Sequence, residues 1–271
     1  MIQYQIYKHV SPQELNKNVI NYVIYSHSSF SDVLEIQLKF MLGKGHLTLF
    51  IDKNDQNLQH IYQKFDKIIF YDDQLTYGQK VLNCLSQIDY EYFVFIHDND
   101  ILYEVDNQKV LEFINFLKVN NYDRVDFQLA KDFNRERAHT IKDDELYLIK
   151  SSNIDLMLDG YIFNINPSIW KLETFKKIVR EFSHKCYRTI ELSDAQQFCT
   201  QFDFFKLYSK KQFNCGYFIL LEPFKYLHIT HGQRFINLNE FHEQSIKDIK
   251  NIYLNIIEEF NLKNSPKWLQ Q

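Results

Sequence analysis

The residues best suited to do chemistry stand together at His97-Asp98-Asn99-Asp100, directly after the apolar run 90–96 (YEYFVFI). Two carboxylates spaced i, i+2 in a tight turn can be aimed at one hard cation. Mg²⁺ or Mn²⁺ prefers oxygen ligands, and when few carboxylates hold it the remaining positions stay open for phosphate oxygens. An Asp/Asn-rich turn is also a common piece of plain backbone. The position after a β-rich run is what lifts this one above that background. In an open parallel sheet, ligands bind outside the carboxyl ends of the strands.

Other residues are candidates for supporting work. Glu191 and Asp194 lie in TIELSDAQQ. Ser193 reads as a helix N-cap, so the helix dipole favours a carboxylate at Asp194 whatever the function, while Glu191 precedes the cap and is freer to act as a general base. His228 and His231 lie in YLHITHGQR. Strand residues three apart face opposite ways, so only one of them can join a metal, and His231 beside Gly232 is the choice. Arg234 is placed to clasp a phosphate. Trp170 and Pro167 could wall a sugar ring, although a Trp is as often simply core. Asp72-Asp73 follows another apolar run and reads as a solvated loop near a nucleotide.

These residues need a frame, and the rest of the chain supplies its outline. The 271 residues carry 31 Lys and Arg against 35 Asp and Glu, a net charge of −4, which argues against a general nucleic-acid binder. Apolar residues at 45% suffice for a large core and exclude wholesale disorder. Six glycines and four prolines leave no room for a glycine-rich phosphate loop or a long linker. No apolar stretch approaches the roughly 20 residues of a membrane span. The N-terminus lacks a signal-peptide core, and the four cysteines form no CxxC pair. A soluble cytoplasmic chain without a transmembrane segment is expected.

Strand and helix signals alternate through the first half. Strands are expected at 19–25, 46–51, 67–71 and 90–96, and helices at 32–42 (capped by Ser31), 57–65 and 77–87. That alternation implies an α/β fold with a doubly wound, mostly parallel sheet. Beyond 105 a helix is expected at 108–120 and a strand at 122–129. An irregular excursion follows at 130–160, then a strand at 161–165, helices at 171–182 and 194–208, and strands at 217–221 and 224–229. An amphipathic helix at 240–260 closes the chain. Its apolar face suits packing on the core, with peripheral contact to a membrane as the other use. One domain over 1–271 is expected, in two parts (19–105 and 106–239) followed by the terminal helix (240–271).

With those motifs in place, residues 19–105 resemble a GT-A glycosyltransferase, a Rossmann-like fold of which family 2 is the best-known member. The resemblance rests on Ser26, His27 and Ser28 after the first strand, Asp52 after the second, Gly78, Lys80 and Asn83 on the helix before the fourth, and the Asp98/Asp100 pair itself. Residues 161–170 (YIFNINPSIW) are similar to an element of some surface-glycan transferases. The resemblance implies Mn²⁺ or Mg²⁺ held by Asp98, Asp100 and a late His. It also implies a UDP-sugar donor contacted by Ser26, His27, Asp52, Gly78, Lys80, Arg234 and Trp170. Glu191 or Asp194 would be the base, acting on a hydroxyl of a glycan or of a lipid- or protein-linked acceptor. Transfer would be by direct displacement with inversion, although the fold also serves retaining enzymes. Two alternatives remain open. A catalytically inactive nucleotide- or glycan-binding module is opposed by the intact Asp pair. A sugar-phosphate nucleotidyltransferase would need a glycine-rich basic loop where this chain has SHSSFSD.

Overall fold

The computed structural model describes residues 19–98, 100–129, 138–142, 146–150, 162–186, 190, 195–209, 218–221 and 224–228. Its first half is built as the alternation requires. Strands β1 (Asn21–Tyr25), β2 (His46–Ile51), β3 (Lys67–Phe70) and β4 (Tyr92–His97) pair in parallel in the order β3-β2-β1-β4. Helices α1 (Ser31–Met41), α2 (Gln59–Tyr62) and α3 (Tyr77–Leu85) make the connections. The strands read as continuous apolar runs because both faces are covered. Tyr22, Ile24, Leu49 and Ile96 pack into one cluster, Val23, Phe50, Phe93 and Phe95 into the other.

The sheet continues through β9 (Ser168–Lys171), β6 (Arg124–Leu129), β10 (Phe204–Ser209), β8 (Leu146–Lys150) and β7 (Ala138–Lys142), nine strands among the described residues. Only β9 and β8 run against the rest, so seven of the nine share the direction of β1. A second sheet joins β11 (Phe218–Leu221), β12 (Phe224–His228) and β5 (Asp100–Val105). Helices α4 (Asn107–Asn120), α5 (Leu172–Glu181) and α6 (Ala195–Cys199) complete the described elements.

Five expectations are corrected. The excursion at 130–160 contains the β7–β8 hairpin, where polar residues sit on a sheet edge that tolerates them. The strand expected at 161–165 lies instead at Ser168–Lys171, past Pro167, whose missing N–H cannot join a ladder. The helix expected over 194–208 stops at Cys199, and residues 204–209 pair with β6 as β10, tertiary pairing having overridden local periodicity. The helix over 57–65 is a 3₁₀ turn (Gln56–Leu58) followed by the single turn of α2. Ser31 does not cap α1. The capping side chain is that of His27, at the head of the 3₁₀ turn Ser28–Phe30 that leads into it. The helix expected at 240–260 lies outside the described residues.

Gly78 is buried at the start of α3, against the end of α5. A Cβ added there would lie 2.7 Å from Ser183 Cα. Backbone cannot swing aside as a side chain can, so Gly78→Ala is expected to cost about 1–3 kcal/mol through overpacking. Denaturant unfolding of the variant measures it directly.

Candidate functional site

Four parallel strands end on one edge, and the chemistry-bearing residues of the first half lie there: Ser26 and His27 after β1, Asp52 after β2, Tyr71 to Asp73 after β3, Asp98 after β4. Main-chain hydrogen bonds carry the ladder past the strand ends, from Ser26 N to Phe50 O at 3.0 Å, Tyr71 N to Ile51 O at 2.9 Å and Asp98 N to Tyr25 O at 2.9 Å. The loops therefore leave the sheet in register rather than fraying.

Two carboxylates stitch this edge to the β1 loop. Asp98 Oδ2 accepts from Ser26 Oγ at 2.9 Å and from the His27 main-chain N–H at 3.4 Å. Asp52 accepts from the Ser28 main-chain N–H at 2.6 Å and from Ser28 Oγ at 2.9 Å. Hydrogen bonds to a charged acceptor are among the stronger ones a protein makes. Asp98 and Asp100 are 7% and 1% exposed, so the pair stands at the rim largely withdrawn from water.

The His27 ring is held at both nitrogens: Nδ1 meets Ser29 Oγ at 2.7 Å and the Ser29 main-chain N–H at 3.1 Å, and Nε2 faces Asp73 at 3.4 Å and Asp52 at 3.5 Å. Lys80, on α3, bonds Asp73 and lies 5.2 Å from the centroid of the Tyr71 ring. Lys80 is the main reason the Asp73 carboxyl is held below the usual carboxylate range.

Beneath this polar layer lies an aromatic one that sequence reasoning missed. Tyr25 stacks on Tyr71 with centroids 5.2 Å apart, and the Tyr71 hydroxyl donates to Ser26 O at 2.7 Å. Burial raises the Tyr71 and Tyr25 hydroxyls far above the ordinary tyrosine range, so both remain protonated donors. Tyr77 OH meets His97 Nε2 at 2.8 Å, and the Tyr25 and Phe95 rings flank the same imidazole. The alternation Phe93, Phe95, His97 along β4 held the clue: all three occupy one face.

Two expected site residues are structural instead. Trp170 is fully buried, stacked on Phe175 at 4.5 Å with the Arg124 guanidinium 4.3 Å from its ring centroid. Its faces are occupied by protein, so it cannot wall a sugar. Gly78 is a packing glycine, as its approach to Ser183 shows. Glu191, Asp194, His231 and Arg234 lie outside the described residues. The register of the second sheet nevertheless bears on the late histidines: His228 is the cross-strand partner of Asp100. Directly opposed residues are neighbours, so the sheet brings His228 to the register position beside Asp100.

Also unanticipated is a buried polar cluster on β6. Arg124 donates to Ile162 O (3.2 Å), Asn164 O (3.1 Å), Asn164 Oδ1 (2.6 Å) and Ser168 Oγ (2.7 Å). Asp126 faces Arg124 at 3.3 Å and Lys206 at 3.9 Å and accepts from Asn164 Nδ2 at 2.6 Å. The signal was present in RVDFQL, where Arg124 and Asp126 alternate onto one face of the expected strand.

No family model matches the chain, and no curated protein does. Among solved structures it is similar to a UDP-glucose pyrophosphorylase complexed with UDP-glucose, at 11% identity and a TM-score of 0.42 over 71% of this chain and 91% of that one. It is similar to a cytidylyltransferase from Leptospira borgpetersenii at 11% identity and 0.44, over 71% and 76% of the two chains. The glycosyltransferase GlyE of Streptococcus pneumoniae follows at 10% identity and 0.43, over 70% and 45%.

Replacing Lys80 by Met removes the cation that holds Asp73 down. The Asp73 carboxyl should then titrate at higher pH, and carboxyl-carbon NMR titration of wild type and variant reads the shift.

Proposed function

We propose that this chain is a metal-dependent glycosyltransferase that moves a sugar from a UDP-sugar to an acceptor hydroxyl. The observation that carries the reading is the charge of the carboxyl edge. Asp52, Asp73, Asp98 and Asp100 stand around the ends of β1 to β4, and among the described residues Lys53 and Lys80 are the cations set against them there. A diphosphate would be repelled by such a rim unless a cation stood between them.

The donor set fits Mg²⁺ or Mn²⁺. Among the described residues no cluster of three or more His, Cys, Asp or Glu side chains forms a closed metal cage. Two oxygen-bearing side chains, leaving places for water and phosphate, are what a nucleotide-bound Mg²⁺ usually takes from its protein. Asp98 and Asp100 would hold the ion, with His228 at the adjoining register position or His231 beyond it. When bound, the ion would offset the charge that develops on the departing diphosphate.

The chain's own residues supply the rest. Ser26 and His27 keep Asp98 oriented from the β1 side. Asp52 and Lys80 flank the space beside β2 and β3 where the nucleoside would lie. Glu191 or Asp194 takes the proton of the acceptor hydroxyl as its oxygen bonds to the anomeric carbon, and the bond from that carbon to the UDP oxygen breaks. Water in place of the acceptor gives donor hydrolysis.

The second reading, a sugar-phosphate nucleotidyltransferase, shares this general frame. The β1 loop disfavours it: SHSSFSD holds neither a glycine nor a lysine or arginine to grip a triphosphate.

Calorimetric titration with UDP should show binding in Mn²⁺ that weakens by at least about tenfold in EDTA, roughly 1.4 kcal/mol. Asp98→Asn and Asp100→Asn should lose the same increment and abolish Mn²⁺-dependent UDP release from UDP-sugars. His228→Ala against His231→Ala then identifies the late ligand by which one weakens Mn²⁺-dependent binding. Pyrophosphate release from UTP and a sugar 1-phosphate would transfer the assignment to the second reading. Metal-dependent UDP binding without any turnover would make the chain a binding module.

A further inference from the structure

Residues 162–167 form no regular element, yet they are held more firmly than many strands. Arg124 bonds two of their main-chain carbonyls and the Asn164 side chain from beneath. Asp126 fixes the other end of the Asn164 amide. From the side, Gln196 brackets Phe163, accepting from its N–H at 2.9 Å and donating to its C=O at 2.8 Å. The segment also braces itself: Asn166 N donates to Asn164 Oδ1 at 3.2 Å, and Ser168 Oγ donates to Asn166 O at 2.6 Å. Phe163 is 2% exposed, so its main-chain groups have no water to fall back on and depend on that glutamine.

The topology says where this mount stands. β9 runs antiparallel to β4, with Ser168 opposite Phe95. The chain preceding Ser168 therefore comes from the edge at which β4 ends, and the same register carried two residues beyond the last pair would set Asn166 level with His97. Phe127 N donates to Pro167 O at 3.1 Å, which keeps that path in register with β6 as well. Within 162–167, Asn166 alone is half-buried and the other five residues are buried. One amide-bearing residue is thus partly open to solvent in an otherwise buried segment, on the β9 side of β4, the side opposite to β1.

We infer that Asn166 is a specificity-determining residue that hydrogen-bonds a hydroxyl of the transferred sugar, with Gln196 and Arg124 as the positioning residues that hold its mount. The inference rests on the glycosyltransferase reading and names the sugar side of that same site. An amide offers both a donor and an acceptor, which suits a sugar hydroxyl that is itself both. Rejection of a sugar whose hydroxyl is missing or inverted follows, because the amide would be left unpaired.

The experiment uses the full chain with Mn²⁺ and a panel of UDP-glucose, UDP-galactose and UDP-N-acetylglucosamine, reading UDP release and, by calorimetry, UDP affinity. Asn166→Ala should leave UDP affinity and the thermal midpoint unchanged. Its kcat/KM for the preferred donor should fall by about tenfold or more, compressing the preference among the three sugars. Asn166→Asp, which keeps an acceptor, should retain more of that preference. Gln196→Met, similar in length but unable to make either bond, should reproduce the loss of preference while UDP affinity holds, and Gln196→Glu, keeping the acceptor for Phe163 N–H, should lie between. If Asn166→Ala turns over all three donors with wild-type kcat/KM, the inference is overturned and the transferase reading stands. Should wild type neither bind UDP with Mn²⁺ nor release it from any donor, the reading itself fails and takes the inference with it.

Discussion

The structure depends on one constraint above the others: the loop after β1 is bonded to a carboxylate that emerges after β4. Ser26 Oγ reaches Asp98 Oδ2 at 2.9 Å across a sequence separation of 72 residues. β1 and β4 are adjacent parallel strands, so both chain segments leave the sheet at the same edge and point the same way. A charged acceptor nearly out of water must be hydrogen-bonded, or its desolvation goes uncompensated. Asp98 is thereby oriented by the fold before any ligand arrives, and the loop that would face the nucleotide is oriented by the same bonds. An aspartate in a free surface turn would need ordering at the moment of binding, and this one has been ordered by folding.

The second half solves a harder problem of the same kind. Arg124 is fully buried, and a buried guanidinium is tolerated only when its donors are matched. Here the matching groups come largely from residues 162–167, which belong to no strand, and from Ser168 at the start of β9. The irregular segment accepts from both terminal nitrogens of the guanidinium and is held by them. Removing one partner from a buried charged cluster typically costs about 3–5 kcal/mol, because the remaining charge stays buried and unmatched. The cluster is therefore a poor source of net stability, since an apolar replacement of equal volume could pack as well. What it specifies is the path of one stretch of chain at the rim. The same stretch places Trp170 under the guanidinium, where stacking and cation–π attraction use both faces of the indole.

Much of the first half was legible in the sequence because local and tertiary preferences agree there. Strands buried on both faces leave a solid apolar signature, and the helices between them carry 3.6-residue periodicity and clear stops such as Gly43, whose φ of 77° few other residues accept. The edge at which Asp98 stands followed from that alternation, while Ser26 and Asp52 were set there by the family resemblance. The second half was less legible where long-range pairing decided the outcome. Residues 204–209 are strand because β6 lies beside them, and the β7–β8 hairpin forms where β10 offers β8 an edge to pair with. Trp170 was misread because residue type cannot distinguish a ring offered to a ligand from one with both faces covered. His27 was read as a ligand contact, and its capping role at the next helix turn was not.

The acidity of the rim and the neutrality of its floor are two parts of one arrangement. The floor is made of Tyr25, Tyr71, Tyr77 and His97, whose hydroxyls and ring nitrogen are occupied with each other or with main chain. Burial keeps the Tyr25 and Tyr71 hydroxyls uncharged, so they add no negative potential of their own beneath the carboxylates. The local field at the edge is then set by the aspartates, moderated by Lys80 and by the His27 ring, whose Nε2 faces both Asp52 and Asp73. A low-dielectric floor strengthens every interaction above it, the repulsion of an unaccompanied phosphate included. Such a rim discriminates by charge before shape enters: it repels an unaccompanied anion, and it presents to a cation carboxylates already held in place by serine and main chain.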